Sequence, residues 1–257
     1  VTIPQIVPPL TGLAVLVTRP APQAQALIES IAKLGGEPIA FPTIEIVPIA
    51  CARVSVAYDL IVFTSSNAVE HGVPVCDSLM ASRLAAIGPA TAAALSSRNL
   101  TPAVVPASLA NSESLLEHPD LRIEGMERVL IVRGEGGREL LREAFEARAI
   151  QVDVIEVYRR TVPHYEPEAI VQLEQRWADG EVNAVTATSF DALKHLAELL
   201  TPSGRTWLDR TPIVVASQRI RDLSEEERIG GEFVLAGGAD DGSMIGALTQ
   251  WHARGRA

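Results

Sequence analysis

The chain is 257 residues long, 47% hydrophobic and 21% charged, with a net charge of −10, long enough for one large or two ordinary globular domains. The acidic balance argues against a nucleic-acid binder, which carries a basic face, and aromatics at 4% leave little for stacking bases. Five histidines and two cysteines, Cys51 and Cys76, stand without ligand-like spacing, so neither a metal site nor a disulfide framework is expected.

The lead Val1-Thr-Ile-Pro-Gln-Ile-Val-Pro-Pro-Leu10 has three prolines and no charged stretch, which does not fit a signal peptide. No apolar run approaches membrane-spanning length. The expectation is a soluble, cytoplasmic, monomeric protein with no membrane association.

Leu13 to Thr18 is a continuous apolar run of the buried parallel-strand kind. Arg19-Pro-Ala-Pro22 breaks it. Leu27, Ile28, Ile31 and Leu34 follow at helical spacing, and Gly35-Gly36 closes that helix. Phe41 to Pro48 is a β-rich connector. Tyr58 to Phe63 is a second buried strand, running into Thr64-Ser-Ser-Asn67, a helix-capping cluster. Leu84 to Ile87 is a third strand, ending in Gly88-Pro-Ala-Thr91. Thr101 to Pro106 is expected as an edge strand, because its two prolines exclude a central position. Ser108 to Gly125 reads as loop and short helix.

Val129 to Val132 restarts the pattern, with Arg133-Gly-Glu-Gly-Gly-Arg138 as its turn and Leu140, Leu141, Ala144 and Phe145 as its helix stripe. A second connector, Val152 to Pro163, alternates apolar and polar residues and carries Tyr158 followed by Arg159 and Arg160. Ile170, Leu173 and Trp177 mark a helix and Asn183 to Ala187 a strand. Thr188-Ser189 follows that strand as Thr64-Ser65 follows its counterpart. Further units are the helix of Leu193, Leu196, Ala197 and Leu200, the strands Pro212–Ala216 and Phe233–Ala236, and a closing helix through Met244, Leu248 and Trp251. Strands alternating with helices predict an α/β protein with parallel sheets. The order βα, connector, βα, βα occurs twice, which reads as an internal duplication. The short strands favour flavodoxin-like lobes over a barrel, joined by a two-stranded connector with the active cleft beside it.

Ligands of open α/β sheets bind beyond the carboxyl ends of the strands. The candidates are Arg19, Thr64, Ser65, Ser66, Gly88, Thr91, Arg133, Gly134, Gly136, Arg138, Ser189, Ser217 and Arg219. Most sit at hydroxyl- or glycine-bearing helix starts, where free amides and the helix dipole favour an anion. Any one such turn is more often a cap than a ligand contact, so together they indicate an anionic ligand and nothing finer. Arginines at helix starts gain nothing from the dipole and suit a carboxylate or phosphate instead. Gly134-Glu-Gly-Gly137 fails the dinucleotide spacing, because Glu139 stands where the third glycine belongs, and no Walker-type loop occurs. Tyr158 is the one candidate acid. Tyrosine is a favoured strand residue and more often packing, but this one lies on a connector, where Arg159, if close, would make the phenol a better proton donor.

Leu16-Val-Thr-Arg-Pro20, Ile61-Val-Phe-Thr-Ser-Ser-Asn-Ala-Val69, Ala86-Ile-Gly-Pro-Ala-Thr-Ala92, Ile131-Val-Arg-Gly-Glu-Gly-Gly-Arg-Glu-Leu-Leu141 and Val157-Tyr-Arg-Arg160 occur in order over nearly the whole chain. In this ordered combination the chain resembles the uroporphyrinogen-III synthases. The resemblance implies two flavodoxin-like parallel-sheet lobes joined by a two-stranded β-ladder. One lobe would be residues 1–40 and 164–257 and the other 44–157, with linker strands at about 38–48 and 152–163. It implies a lyase of tetrapyrrole (heme, siroheme, cobalamin) biosynthesis that closes the linear tetrapyrrole hydroxymethylbilane to uroporphyrinogen III with inversion of ring D, using no metal or organic cofactor. It also implies Tyr158 as the acid and Ser65, Ser189 and Thr91 as hydroxyl positions. One departure is Ser217-Gln-Arg-Ile220, where many relatives have Gly-Pro-Thr-Thr, so Arg219 offers a charge in place of hydroxyls. Two other function classes compete: a non-catalytic two-lobed binding protein for a small anion, and a nucleotide-dependent oxidoreductase, which the missing glycine disfavours.

Overall fold

The computed structural model describes residues 7–107 and 110–255; the lead up to Ile6 and the start of the expected loop at Ser108 lie outside the described residues. The chain divides into two compact units, Val1–Glu45 with Thr161–Ala257, and Ile46–Arg160.

In chain order, β1 (Ala14–Val17), α1 (Ala21–Lys33) and β2 (Glu37–Ala40) come first. Leu27 and Ile31 give α1 its buried face, and the left-handed Gly35 ends it, with the Gly36 amide bonding back to the Ile31 carbonyl. The upstream connector is two strands, β2 and then β3 (Glu45–Pro48), separated by Phe41 to Ile44. Next come β4 (Leu60–Phe63), α2 (Ser66–Gly72), β5 (Arg83–Ala86), α3 (Pro89–Ser96), α4 (Ser112–Leu116), β6 (Arg128–Gly134), α5 (Leu140–Glu146) and the eleven-residue β7 (Gln151–Thr161). The chain closes with α6 (Pro167–Ala178), β8 (Ala184–Ala187), α7 (Phe190–Leu199), α8 (Pro202–Leu208), β9 (Ile213–Val215), α9 (Gln218–Glu226), β10 (Phe233–Leu235) and α10 (Asp241–Arg254).

The first unit holds a five-stranded sheet in the order β10-β9-β8-β1-β2, parallel throughout. Numbered from β1, this is the 2-1-3-4-5 winding of flavodoxin-like folds. The second unit holds β3-β7-β6-β4-β5. Starting from β6, the same winding is run by β6 and β7 in one direction and by β4 and β5 in the other, with β3 added outside β7. Alternate residues of β4 feed separate cores on the two faces: Ile61 and Phe63 pack with Val69 and Leu95, while Leu60 and Val62 pack with Leu115, Leu141 and Phe145. A strand covered on both faces must be apolar at every position, and that is the continuous run seen in the sequence.

Two readings change. Thr101 to Pro106 forms no strand. Val104 makes a single bridge to Ala85, since Pro102 and Pro106 lack the amides a longer ladder needs. And α8 was missed: Thr201 accepts from the Gly204 amide as its cap and Pro202 opens its first turn, but its seven residues are too few for a helical period to stand out.

Candidate active site

Each sheet has a switch point where the winding reverses, between β1 and β8 in one and between β6 and β4 in the other. In the second unit a recess of about 320 Å³ opens at this point, lined by the ends of β4 and β6, the Ala110–Ser112 segment, and Tyr158 and Arg160 of β7. Such crevices are where doubly wound sheets take ligands.

Tyr158 is 3% exposed, and two local features put it there. The β6–β7 register slips between Arg133 and Gly134, so that Gly134 pairs with Tyr158. Gly134 also leaves room for the ring, because a Cβ there would lie 2.6 Å from the tyrosine Cζ. The phenol oxygen is then 3.0 Å from Ser65 Oγ. Ser65 is the N-cap of α2, its Oγ accepting from the Ala68 amide at 3.0 Å. The cap hydroxyl foreseen as a substrate contact is therefore already joined to the candidate acid.

The arginines of the recess differ in how far they are committed. Arg133, 9% exposed, donates to Glu139 Oε1 at 2.7 Å, Glu156 Oε1 at 3.2 Å and the Arg138 carbonyl at 3.2 Å. Exposed Arg138 donates twice to the Glu113 carboxylate, at 3.2 and 2.6 Å. That hydrogen-bonded pairing holds the Glu113 carboxyl below the usual range and raises Arg138. Arg133 likewise holds Glu139 down. Arg159 turns to Glu135 at 3.6 Å, and it is Arg160, two residues on from Tyr158, whose guanidinium carbon stands 6.0 Å from the phenol centroid. Strand alternation dictates this: neighbours on a strand point to opposite faces, so Arg160, and not Arg159, lies on the phenol's side of β7.

Of the other candidates, Thr64 and Gly136 line the recess, Thr64 Oγ1 bonding to the Val132 carbonyl at 3.3 Å. Gly136 takes φ +69 and donates its amide to Glu156 at 3.3 Å. Ser66 begins α2 but is not part of the lining. Gly88 precedes α3 and admits Ala110 so closely that a Cβ would meet the alanine Cβ at 2.4 Å. Thr91 is buried within α3, away from the lining. In the first unit Ser189 caps α7, accepting from the Ala192 amide at 3.1 Å. With Thr188, Ser217 and Arg219 it lines a second recess of about 370 Å³. Arg19 is absent from that recess. It is buried and bonds to Asp241 and the Ala239 carbonyl at the start of α10. Sequence reasoning missed Asn111, Ser112, Glu113 and Arg160. Asn111 caps α4 through the Ser114 amide, and Asn followed by Leu115-Leu116 was the available signal. Among the described residues no group of three or more His, Cys, Asp or Glu is placed to hold a metal, and no helix is long and apolar enough to cross a membrane.

The fold and the recess define a two-unit, flavodoxin-like α/β protein with a buried phenol at a strand-end crevice rich in arginine. The family described as uroporphyrinogen-III synthase HemD matches residues 25–235. The chain is 33% identical over 250 residues to uroporphyrinogen-III synthase of Salmonella typhimurium, covering 92% of this chain and all of that one. The Escherichia coli synthase is 30% identical over 253 residues with the same coverage. The crystal structure of the Helicobacter pylori synthetase superposes with a TM-score of 0.64 at 12% identity, over 93% of this chain and 99% of that one, a likeness of fold. The chain belongs to the uroporphyrinogen-III synthase family.

Proposed function

We propose that this chain, as a cytoplasmic monomer needing no metal or organic cofactor, acts as a cyclising hydro-lyase that converts hydroxymethylbilane to uroporphyrinogen III. The ring-A hydroxyl leaves as water, taking a proton and leaving an azafulvenium cation. The substituted α-carbon of ring D attacks that cation, and the spiro intermediate fragments and recloses with ring D inverted. A proton is lost as the pyrrole is restored, so the donor regains what it gave.

Tyr158 is the donor. As a neutral phenol it gives its proton to the departing hydroxyl, and the phenolate left behind faces the new cation with opposite charge. Ser65 fixes the phenol's direction, and the Ala68 amide fixes Ser65. The remaining contribution is orientation: a flexible linear chain must be held so that the rearranging closure outruns simple end-to-end joining. Amides and guanidinium groups at the strand ends suit its acetate and propionate side chains. The observation that carries the proposal is the 3.0 Å contact between Tyr158 and Ser65 in the recess at the switch point.

The experiment is product analysis with enzymatically generated hydroxymethylbilane. Isomer III above the spontaneous isomer I background is expected. Isomer I alone would sink the proposal.

A further inference from the structure

We propose that Arg160 is a positioning residue that seats one carboxylate of the substrate beside Tyr158; this deepens the proposed function and rests on it. Three arginines line the recess. Arg133 is buried and shared between two carboxylates and a carbonyl, and Arg138 is held twice by Glu113. Arg160 is exposed and, among the described residues, has no carboxylate partner. Its guanidinium carbon stands 6.0 Å from the centroid of the Tyr158 ring, at the outer limit of a cation–π contact. The alternation of β7 puts it on the same side as the phenol.

An unneutralised guanidinium in this place is costly for the chemistry. The reaction creates a cation next to Tyr158, and a second positive charge within a few ångströms opposes it. A carboxylate of the reacting substrate on Arg160 cancels that charge. It also fixes the ring that carries it against the phenol. Arg133 is structural, Arg138 requires displacement of Glu113, and Arg160 is ready. The planar two-donor fork suits a carboxylate better than an ammonium does.

Arg160→Gln and Arg160→Lys are compared with the parent chain for KM, kcat, isomer ratio and thermal midpoint, with Arg159→Gln as the control on the opposite strand face. Loss of one charge-assisted contact is expected to raise the Gln variant's KM about ten- to hundredfold, with more isomer I released. Lys should restore part of the loss, and the midpoint should stay near the parent value. A Gln variant whose KM and isomer ratio match the parent overturns the assignment while leaving the activity standing. A Lys variant as poor as Gln, with a lowered midpoint in both, also overturns it, because packing alone would then explain the loss. Isomer I alone from the parent chain removes the proposed function, and the carboxylate seat with it.

Discussion

Both sheets carry a buried, carboxylate-held arginine at the same place, but Arg133 lines the recess of its unit while Arg19 is absent from that of Ser189 and Arg219. Val17 of β1 lies opposite Thr186 of β8, and Val132 of β6 opposite Phe63 of β4. Counting on along each register sets Arg19 level with Thr188 and Arg133 level with Thr64. Each Thr-Ser pair then caps a helix through a serine, Ser189 for α7 and Ser65 for α2. The copies diverge on the strand outside. After β2, the fully buried Thr43 donates to the Ala192 carbonyl at 2.7 Å and pins the chain against α7. On β7 the longer Tyr158 reaches the serine itself. Both units share the winding, the caps and the arginine, and Tyr158 with its recess belongs to one. A shared frame is thus poor evidence of shared chemistry: what distinguishes the copies is a side chain on the strand beside the frame.

The largest effect on this contrast should come from Tyr158→Phe, which keeps the ring and removes the proton. Turnover is expected to fall by about tenfold or more, in the range for losing a general acid, with folding intact by circular dichroism. Unchanged turnover and isomer ratio would reduce the tyrosine to packing. Gly134→Ala probes the same pair from the other side. Its Cβ must displace the ring it would meet at 2.6 Å, so turnover should drop severalfold and stability by about 1–3 kcal/mol, read from denaturant midpoints. Next is Arg19→Gln, which leaves Asp241, one-third exposed, without its cation. A loss of about 1–3 kcal/mol is expected, with KM nearly unchanged. A KM increase as large as that of Arg160→Gln would return Arg19 to the substrate.

The smallest effect concerns pH. Burial, and then the 2.9 Å hydrogen bond to Asp153, push the Tyr58 phenol of the second unit up to about 12. The folded state prefers the neutral phenol, so this stabilisation is complete below the ordinary tyrosine value of about 10 and is lost as pH rises from there to about 12. Thermal midpoints across that window should decline, and Tyr58→Phe should flatten the decline. An unaltered slope would place the alkaline sensitivity elsewhere, for instance at Tyr165 of the first unit, which burial also raises.

Much of the frame was legible because burial leaves a local imprint. Ala14–Val17, Leu60–Phe63 and Ala184–Ala187 are buried at every position and read as unbroken apolar or small runs. Ser65 and Ser189 read as caps because capping is settled within three residues. The recess was legible on the walls that follow a strand directly. Its remaining wall, Ala110–Ser112, arrives through a close approach at Gly88, a contact between separate elements that leaves no periodic signature. The commitments of the arginines were hidden for the same reason. Arg19 meets a residue 222 positions away and Arg138 one 25 positions away, and only those partners reveal that Arg160 has none among the described carboxylates. The side of β7 that Tyr158 faces was within reach of strand alternation, which already sets Arg160, and not Arg159, on the phenol's face.

The threading of the chain sets a timetable for synthesis. The Thr18 hydroxyl donates to the Thr186 carbonyl across 168 positions, and β8 is the strand that β1 must meet. At about 5–20 residues per second, a nascent chain waits roughly ten to thirty seconds between the two. Throughout that interval an apolar strand destined for the centre of a sheet has its other side uncovered, while Ile46–Arg160 emerges as one contiguous unit able to fold. The unit whose first strand leaves the ribosome earliest is therefore the one completed last.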